Sequence, residues 1–179
     1  MRNELRVISE QSKKYAKLQT LMYHINKESL KEEHRKMNPK KAVGVDGVTK
    51  DIYSLNLDEN INDLLDRMKR MRYRPKPTRL VEIPKEDGRM RKLGISSYED
   101  KLVEGIMGDI LSLIYEERFY DCSYGFRPGR NMHQAIGTIN HALMFEKINY
   151  VIDCDIKAFF DNIDHKWMTR FLENDIEDR

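Results

Sequence analysis

Apolar residues at Leu5, Ile8, Tyr15, Leu18, Leu21, Met22 and Ile25 follow mostly helical spacing with one polar interruption, which predicts helix across residues 4–25. The highly charged stretch 26–37 predicts a second helix, and neither segment buries much surface alone. Residues 38–49, NPKKAVGVDGVT, break the period at Pro39, Gly44 and Gly47 and read as a loop. Asp58, preceded by Leu57, is the expected cap of a helix whose stripe is Ile61, Leu64, Leu65, Met68 and Met71. Pro75 and Pro77 are expected to end that helix and push the chain into extended geometry.

Two short runs, 78–84 and 89–95, flank KEDG, where Asp87 and Gly88 suit the positive-φ positions of a tight turn. A hairpin is predicted there. Ser97, with Asp100 three residues on, opens a helix bearing Leu102, Ile106, Ile110, Leu113 and Ile114. Asn131 with Gln134 opens another over 132–145. YVIDCDI, residues 150–156, is branched and mostly apolar and predicts a central strand. Asp164 is the expected cap of a last helix carrying Trp167, Met168, Phe171 and Leu172.

At 179 residues the chain is one domain or an incomplete larger one, and 40% hydrophobic with 35% charged residues allows a core beneath a very polar surface. There is no apolar run near the roughly 18 residues of a membrane span, no signal-type N-terminus and no internal repeat. Cys122 and Cys154 lack CxxC spacing, which argues against a disulfide framework or a thiolate zinc site and makes a cytoplasmic setting the default. The net charge is only +2, but its distribution is uneven. Residues 67–92 hold eleven bases against three acids, residues 1–46 eleven against six, and residues 153–179 eight acids against four bases. Two basic regions and one acidic region fit a polyanion binder that gathers carboxylates elsewhere; solvated helix faces are the alternative.

Strand alternation would set Asp153, Asp155 and Lys157 on one side. Carboxylates in an apolar strand are costly unless a cation is present, so the reading lies between an inert Arg-paired network and a divalent-metal site for phosphoryl chemistry. Asp161 and Asp164 read as turn and cap residues, and His165 has no metal-binding context. Hairpin folding would carry Lys85 and Arg91 to the same end, which suits a polyphosphate or is simply a solvent-facing basic turn. In SYGFRPGR, Gly125 and Gly129 allow close backbone approach, Arg127 and Arg130 offer phosphate or base contacts, and Tyr124 and Phe126 either anchor the loop or stack, with at least one expected in the core. Phe159 and Phe160 are open between core packing and a functional pocket.

Four segments in order then resemble one family. YVIDCDIKAFFDNIDH is similar to the first catalytic block of group II intron reverse transcriptases, the maturases; RLVEIPKEDGRMRKLGI resembles their fingers hairpin, FYDCSYGFRPGRNMHQAI the block between the two, and NPKKAVGVDGVT the block ahead of the fingers. The resemblance implies an α+β fold: helix-rich fingers with an antiparallel hairpin, followed by the beginning of a right-hand polymerase palm. It divides the chain into a helical extension (1–37), fingers (38–148) and the start of the palm (149–179). Asp155 matches the first metal-binding aspartate, with the Ile156 carbonyl as a further ligand of a pair of Mg2+ ions. Lys85 and Arg91 match the residues that clamp the dNTP triphosphate, Phe160 the bulky residue that excludes a 2′-hydroxyl, and Phe159 would line the same pocket.

RNA contacts are expected from Arg70, Arg72, Arg74, Arg79, Arg127 and Arg130. The implied partners are group II intron RNA, an RNA template with a DNA primer, and dNTPs, with a homodimer possible and no membrane. The implied activity is RNA-directed DNA polymerisation with assistance to splicing and retrohoming. Departures from the family pattern are Lys92, residues 96–98, Lys101, Glu104 and Ala158, the last where glycine is frequent. No Tyr-Ala-Asp-Asp segment occurs in the chain, so an N-terminal fragment that binds RNA without polymerising is expected. A non-enzymatic RNA-binding module is the alternative, and a phosphohydrolase built on Asp153 and Asp155 lacks a base and further ligands.

Overall fold

The computed structural model describes residues 2–84 and 88–178. Seven α-helices and one hairpin make up the regular structure of the described residues: α1 (Arg2–Lys14), α2 (Lys27–Lys36), α3 (Lys50–Ser54), α4 (Leu57–Lys69), β1 (Arg79–Pro84), β2 (Met90–Ile95), α5 (Tyr98–Glu116), α6 (Met132–Phe145) and α7 (His165–Asp175). Short 3-10 turns lie at Leu21–His24 and Phe160–Asn162. The chain forms two compact units, one of residues 1–5 and 20–111, the other of residues 6–19 and 112–179. These units cut across the three regions expected from the sequence. The reason lies in the second unit, where the stretch after α1 joins the C-terminal end: Leu18 and Ile176 form a parallel bridge, Leu18 N–H donates to the Asp175 carbonyl and Glu177 N–H to the Leu18 carbonyl.

In the first unit, α2 opens on a reciprocal box in which the Asn26 side chain accepts from Ser29 N–H and Ser29 Oγ accepts from Asn26 N–H. Helix α4 departs from expectation at both ends. It begins at Leu57, so Asp58 lies in the first turn, not at the cap. There, bonds from Lys27 and Lys31, each at 2.7 Å, hold its carboxyl down to about 2. It ends before the prolines, on left-handed Met71 (φ 56°), with Arg72 and Tyr73 N–H both donating to the Arg67 carbonyl. Of its expected stripe, Ile61 and Leu64 are fully buried, Leu65 and Met68 half-buried, and Met71, past the helix end, is exposed. In α5 every fourth residue, Tyr98, Leu102, Ile106, Ile110 and Ile114, is buried; each such aliphatic contributes roughly 1.5 to 3 kcal/mol.

His34 is buried between Tyr53 and Tyr98. Ser54 Oγ donates to the Lys50 carbonyl (2.7 Å), so His34 Nε2–H donates to Ser54 Oγ (3.1 Å) and Nδ1 accepts from Tyr98 OH (2.8 Å). Burial, followed by the charge of Lys50, pushes its pKa below the ordinary value. As pH falls, the unfolded chain therefore takes up this proton first. The stability contribution is fully present above about pH 6.5 and declines below it. Urea midpoints at about pH 7.5 and 5.5 should show a decrease that His34→Gln flattens; an equal decrease in the variant would assign the effect elsewhere.

Two other expectations shift in the structure. The helix predicted across 4–25 stops at Lys14, within the polar run QSKKYAK, and α3 forms where no helix was expected, its first turn capped by Thr49. Residues 150–156 are not a strand, because a β-branched composition favours pleated backbone but a strand exists only where a neighbour completes its hydrogen-bond ladder, and β1–β2 is the only sheet among the described residues. In the second unit, the Asn131–Gln134 box and the Asp164 cap both form as expected. Most of the large apolar positions of α6 and α7, including Ile136, Ile139, Trp167 and Phe171, are nevertheless exposed, while Leu172 is half-buried. No helix among the described residues is long and apolar enough to cross a membrane.

Candidate nucleic-acid interface

The hairpin register runs from Arg79 opposite Ile95 to Pro84 opposite Met90. Directly opposed residues share a face, so Arg79, Val81 and Ile83 lie with Arg91, Leu93 and Ile95. That face is an apolar strip with an arginine at each end. Gly88, at φ 78°, supplies the left-handed turn residue that the sequence predicts, while Asp87 and Lys85 fall outside the described residues. Arg91 is exposed and has no side-chain partner among the described residues.

Asp100 anchors both ends of the basic segment that carries the hairpin. Its carboxylate accepts from Tyr73 OH (2.5 Å), Lys76 N–H (3.0 Å) and Ser97 Oγ (2.6 Å), joining the chain ahead of β1 to the chain after β2 at the start of α5. Burial alone would raise its pKa, but the bonds from Ser97, Tyr73 and Lys76 outweigh it and hold the carboxyl below the usual range.

The arginines expected to meet RNA divide by how they are held. Arg70 pairs with Asp66 at 3.0 Å. The Arg72 side chain is exposed and has no partner among the described residues. Among the described residues, Arg74 donates only to the carbonyls of Met71 and Tyr73, and Arg79 only to that of Val43. In the second unit, Arg127 is buried: it pairs with Glu116, donates to the carbonyls of Tyr120 and Ser123, and stacks 5.1 Å from the Phe119 ring. Its donors are consumed in shaping the loop. Arg130 binds Asp121 and lies over Tyr124, whose hydroxyl meets Thr138 Oγ1 at 2.7 Å. Tyr124 is thus the anchoring aromatic, half-buried and not in the core, while Phe126, at φ 56°, is fully exposed.

Also in the second unit, Asp153, Asp155 and Ile156 are exposed, and the rings of Phe159 and Phe160 meet edge to face at 5.4 Å. Neither ring is core. Hard carboxylate and carbonyl oxygens have the right chemistry for Mg2+, but no group of three candidate ligating side chains occurs among the described residues.

A family profile described as reverse transcriptase (RNA-dependent DNA polymerase) matches residues 83–175, just over half of the chain. The chain belongs to the reverse transcriptase family. Its relatives place it with the group II intron-encoded maturases. It is 35% identical over 139 residues to the group II intron-encoded protein LtrA of Lactococcus lactis subsp. cremoris, covering 77% of this chain and 23% of that protein. Protein YkfC of Escherichia coli K12 is 35% identical over 138 residues, 75% of this chain and 36% of the relative. A 91 kDa protein in the cob intron of Schizosaccharomyces pombe is 31% identical over 182 aligned positions, 99% of this chain and 22% of the relative. The chain thus spans about a third or less of the length of these relatives.

One residue of the second unit is strained. Ala158 sits at φ 50°, and Asp161 and Asn162 N–H both donate to its carbonyl. A left-handed non-glycine residue costs about 1 to 2 kcal/mol, partly offset by the larger folding entropy of glycine. Ala158→Gly should therefore raise stability by about 0.5 to 1 kcal/mol. A urea midpoint that falls would show that the strain is relieved in some other way.

Sequence reasoning treated Asp100 only as a helix-cap partner. The signal for Asp100 was its position three residues after Ser97; that Tyr73 and Lys76 converge on it is a tertiary fact.

Proposed function

We propose that this chain supplies the RNA-binding fingers and the first catalytic segment of an RNA-directed DNA polymerase encoded by a group II intron, a protein that also assists splicing and retrohoming. The carrying observation is the set of arginines on and beside the hairpin, Arg72, Arg74, Arg79 and Arg91, that no carboxylate neutralises among the described residues. Cations ordered without being neutralised suit the phosphate backbone of intron RNA or of a template–primer duplex. Arg91, with Lys85, would meet the triphosphate of a dNTP, and Phe160, with Phe159 beside it, would discriminate against ribose.

Asp155 and the Ile156 carbonyl would be part of a Mg2+ site completed by carboxylates outside the described residues. The exposed apolar positions of residues 150–160, α6 and α7 would be covered by the remainder of the polymerase, and self-association is the competing way to cover them. The cytoplasmic setting stays with this reading, as the free, exposed Cys122 and Cys154 suit a reducing compartment.

The test is anisotropy with a structured intron RNA across about 50 to 300 mM KCl, with primer extension run beside it. Four to six phosphate contacts give a logarithmic salt slope of about −3 to −5. The 179-residue chain is expected to bind RNA with that slope and to add no nucleotides. A shallow slope would remove the RNA-binding reading; extension by this chain would show that its carboxylates suffice.

A further inference from the structure

Many bases of the first unit are neutralised by a carboxylate: Lys36 pairs with Asp109, Arg67 with Glu99 and Lys76 with Asp46. Two cations at the foot of the hairpin are held otherwise, and a third lies exposed beside them. Lys101 Nζ donates to the Ala42 carbonyl and Arg79 Nε to the Val43 carbonyl, at 2.5 and 2.9 Å, so successive carbonyls of one loop tether both side chains. Lys41 precedes these residues and is exposed. None of the three has an ion pair among the described residues.

A carbonyl oxygen orders a cation without cancelling its charge. The terminal nitrogens of Arg79 and the remaining ammonium protons of Lys101 stay available for an anion. Burial and then the charges of Lys41 and Arg79 hold Lys101 below the ordinary lysine range, against the opposing pull of Asp46 and Glu104. Those acids are themselves engaged, Asp46 by Lys76 and Glu104 by the Ser96 hydroxyl. The loop is also seated firmly: a Cβ on Gly44 would lie 2.6 Å from the Ser96 carbonyl oxygen and from Ser97 Cα, so only glycine permits this approach to the chain leaving β2.

We propose that Lys41, Arg79 and Lys101 form a site for a backbone phosphate of a bound RNA strand. The inference rests on the RNA-binding reading above and deepens it by naming a contact outside the family's hairpin clamp. N–H donors from β1, α5 and the loop, gathered around one preformed loop, match the anionic oxygens of a phosphodiester, and a bound phosphate would relieve the repulsion among the cations. Arg79 also shares its hairpin face with Val81, Ile83, Leu93 and Ile95, so the cations continue into apolar surface on which bases can lie. A polynucleotide uses both features, whereas a small polyphosphate uses only the first.

The experiment uses the full chain with a labelled structured RNA, titrated with KCl, for the wild type, the double variant Lys41→Gln/Lys101→Gln, and Lys166→Gln on α7 as control. Glutamine at position 101 retains a donor for the Ala42 carbonyl, and circular dichroism melts verify the fold. The double variant should have a salt slope shallower by about 1.5, since each lost contact removes roughly 0.7 to 0.9. The control slope should stay unchanged. A steep wild-type slope that the double variant retains overturns this site and leaves the RNA-binding reading standing; a shallow wild-type slope removes that reading and this inference with it. A parallel titration with tripolyphosphate separates the ligand sources: loss of tripolyphosphate binding with an unchanged RNA slope would overturn the RNA assignment.

Discussion

Replacing Asp100 with alanine lowers the unfolding free energy by about 3 to 4 kcal/mol, because a buried carboxylate with three donors around it leaves those donors unsatisfied when removed. The orphaned groups are Tyr73 OH, Lys76 N–H and Ser97 Oγ–H. In the Asp100→Asn variant the new side chain keeps one oxygen for Lys76 and Ser97, and the Tyr73 hydroxyl can turn to accept from its amide, so that loss is about 1 to 2 kcal/mol. The carboxyl is held below its unfolded value, so its contribution is complete above about pH 4 and is lost as pH falls through the folded value. Denaturation at about pH 7 therefore reads the full effect. Trypsin under native conditions should cut faster after Arg72 in the alanine variant, since the tethers of the basic segment are gone. An alanine variant within about 1 kcal/mol of wild type, with unchanged cleavage, would show that Asp100 does not hold this segment.

Reversal of Arg72 and Arg74 to glutamate weakens RNA binding by about 10²- to 10³-fold near 0.1 M KCl. At that salt each phosphate contact is worth roughly 0.7 of a logarithmic unit through counterion release, and reversing a charge about doubles the loss. These two residues are chosen because the Arg72 side chain has no partner among the described residues and that of Arg74 is held by carbonyls alone. Arg70→Glu should cost less, since Arg70 is already paired with Asp66. Arg127→Ala should act on stability and not on affinity, because its guanidinium binds Glu116 and the loop carbonyls. The check is equilibrium anisotropy on the same intron RNA. Equal effects from Arg70 and from the Arg72/Arg74 pair would mean that ion pairing within the chain does not decide which bases meet RNA.

Local signals in this chain read through to structure wherever a few neighbouring residues suffice. The Asn131–Gln134 box, the Asp164 cap, the fourfold spacing from Leu102 to Ile114 and Gly88 in the hairpin turn all stand where the pattern puts them. Each depends on contacts within one helical turn or one β-turn, so propensity and short-range hydrogen bonds decide it. Residues 150–156 show the converse. Their composition favours a strand, but a ladder needs a neighbour, and sequence reports propensity without reporting the neighbour.

By itself the sequence determined the family, through four ordered motifs, and with it the hairpin and most of the helices. Only the tertiary structure decided which charges are spent inside the protein. Arg127 and Arg79 are both arginines in basic, glycine-containing stretches, yet one is buried against Glu116 and the other is tethered to the carbonyl of Val43 with its charge intact. The same holds for Lys101, which sequence reading passed over and which the Ala42 carbonyl sets beside Arg79. The physical reason is that a charge is neutralised by whatever lies within a few ångströms, and residues separated by tens of positions become neighbours only when the chain folds.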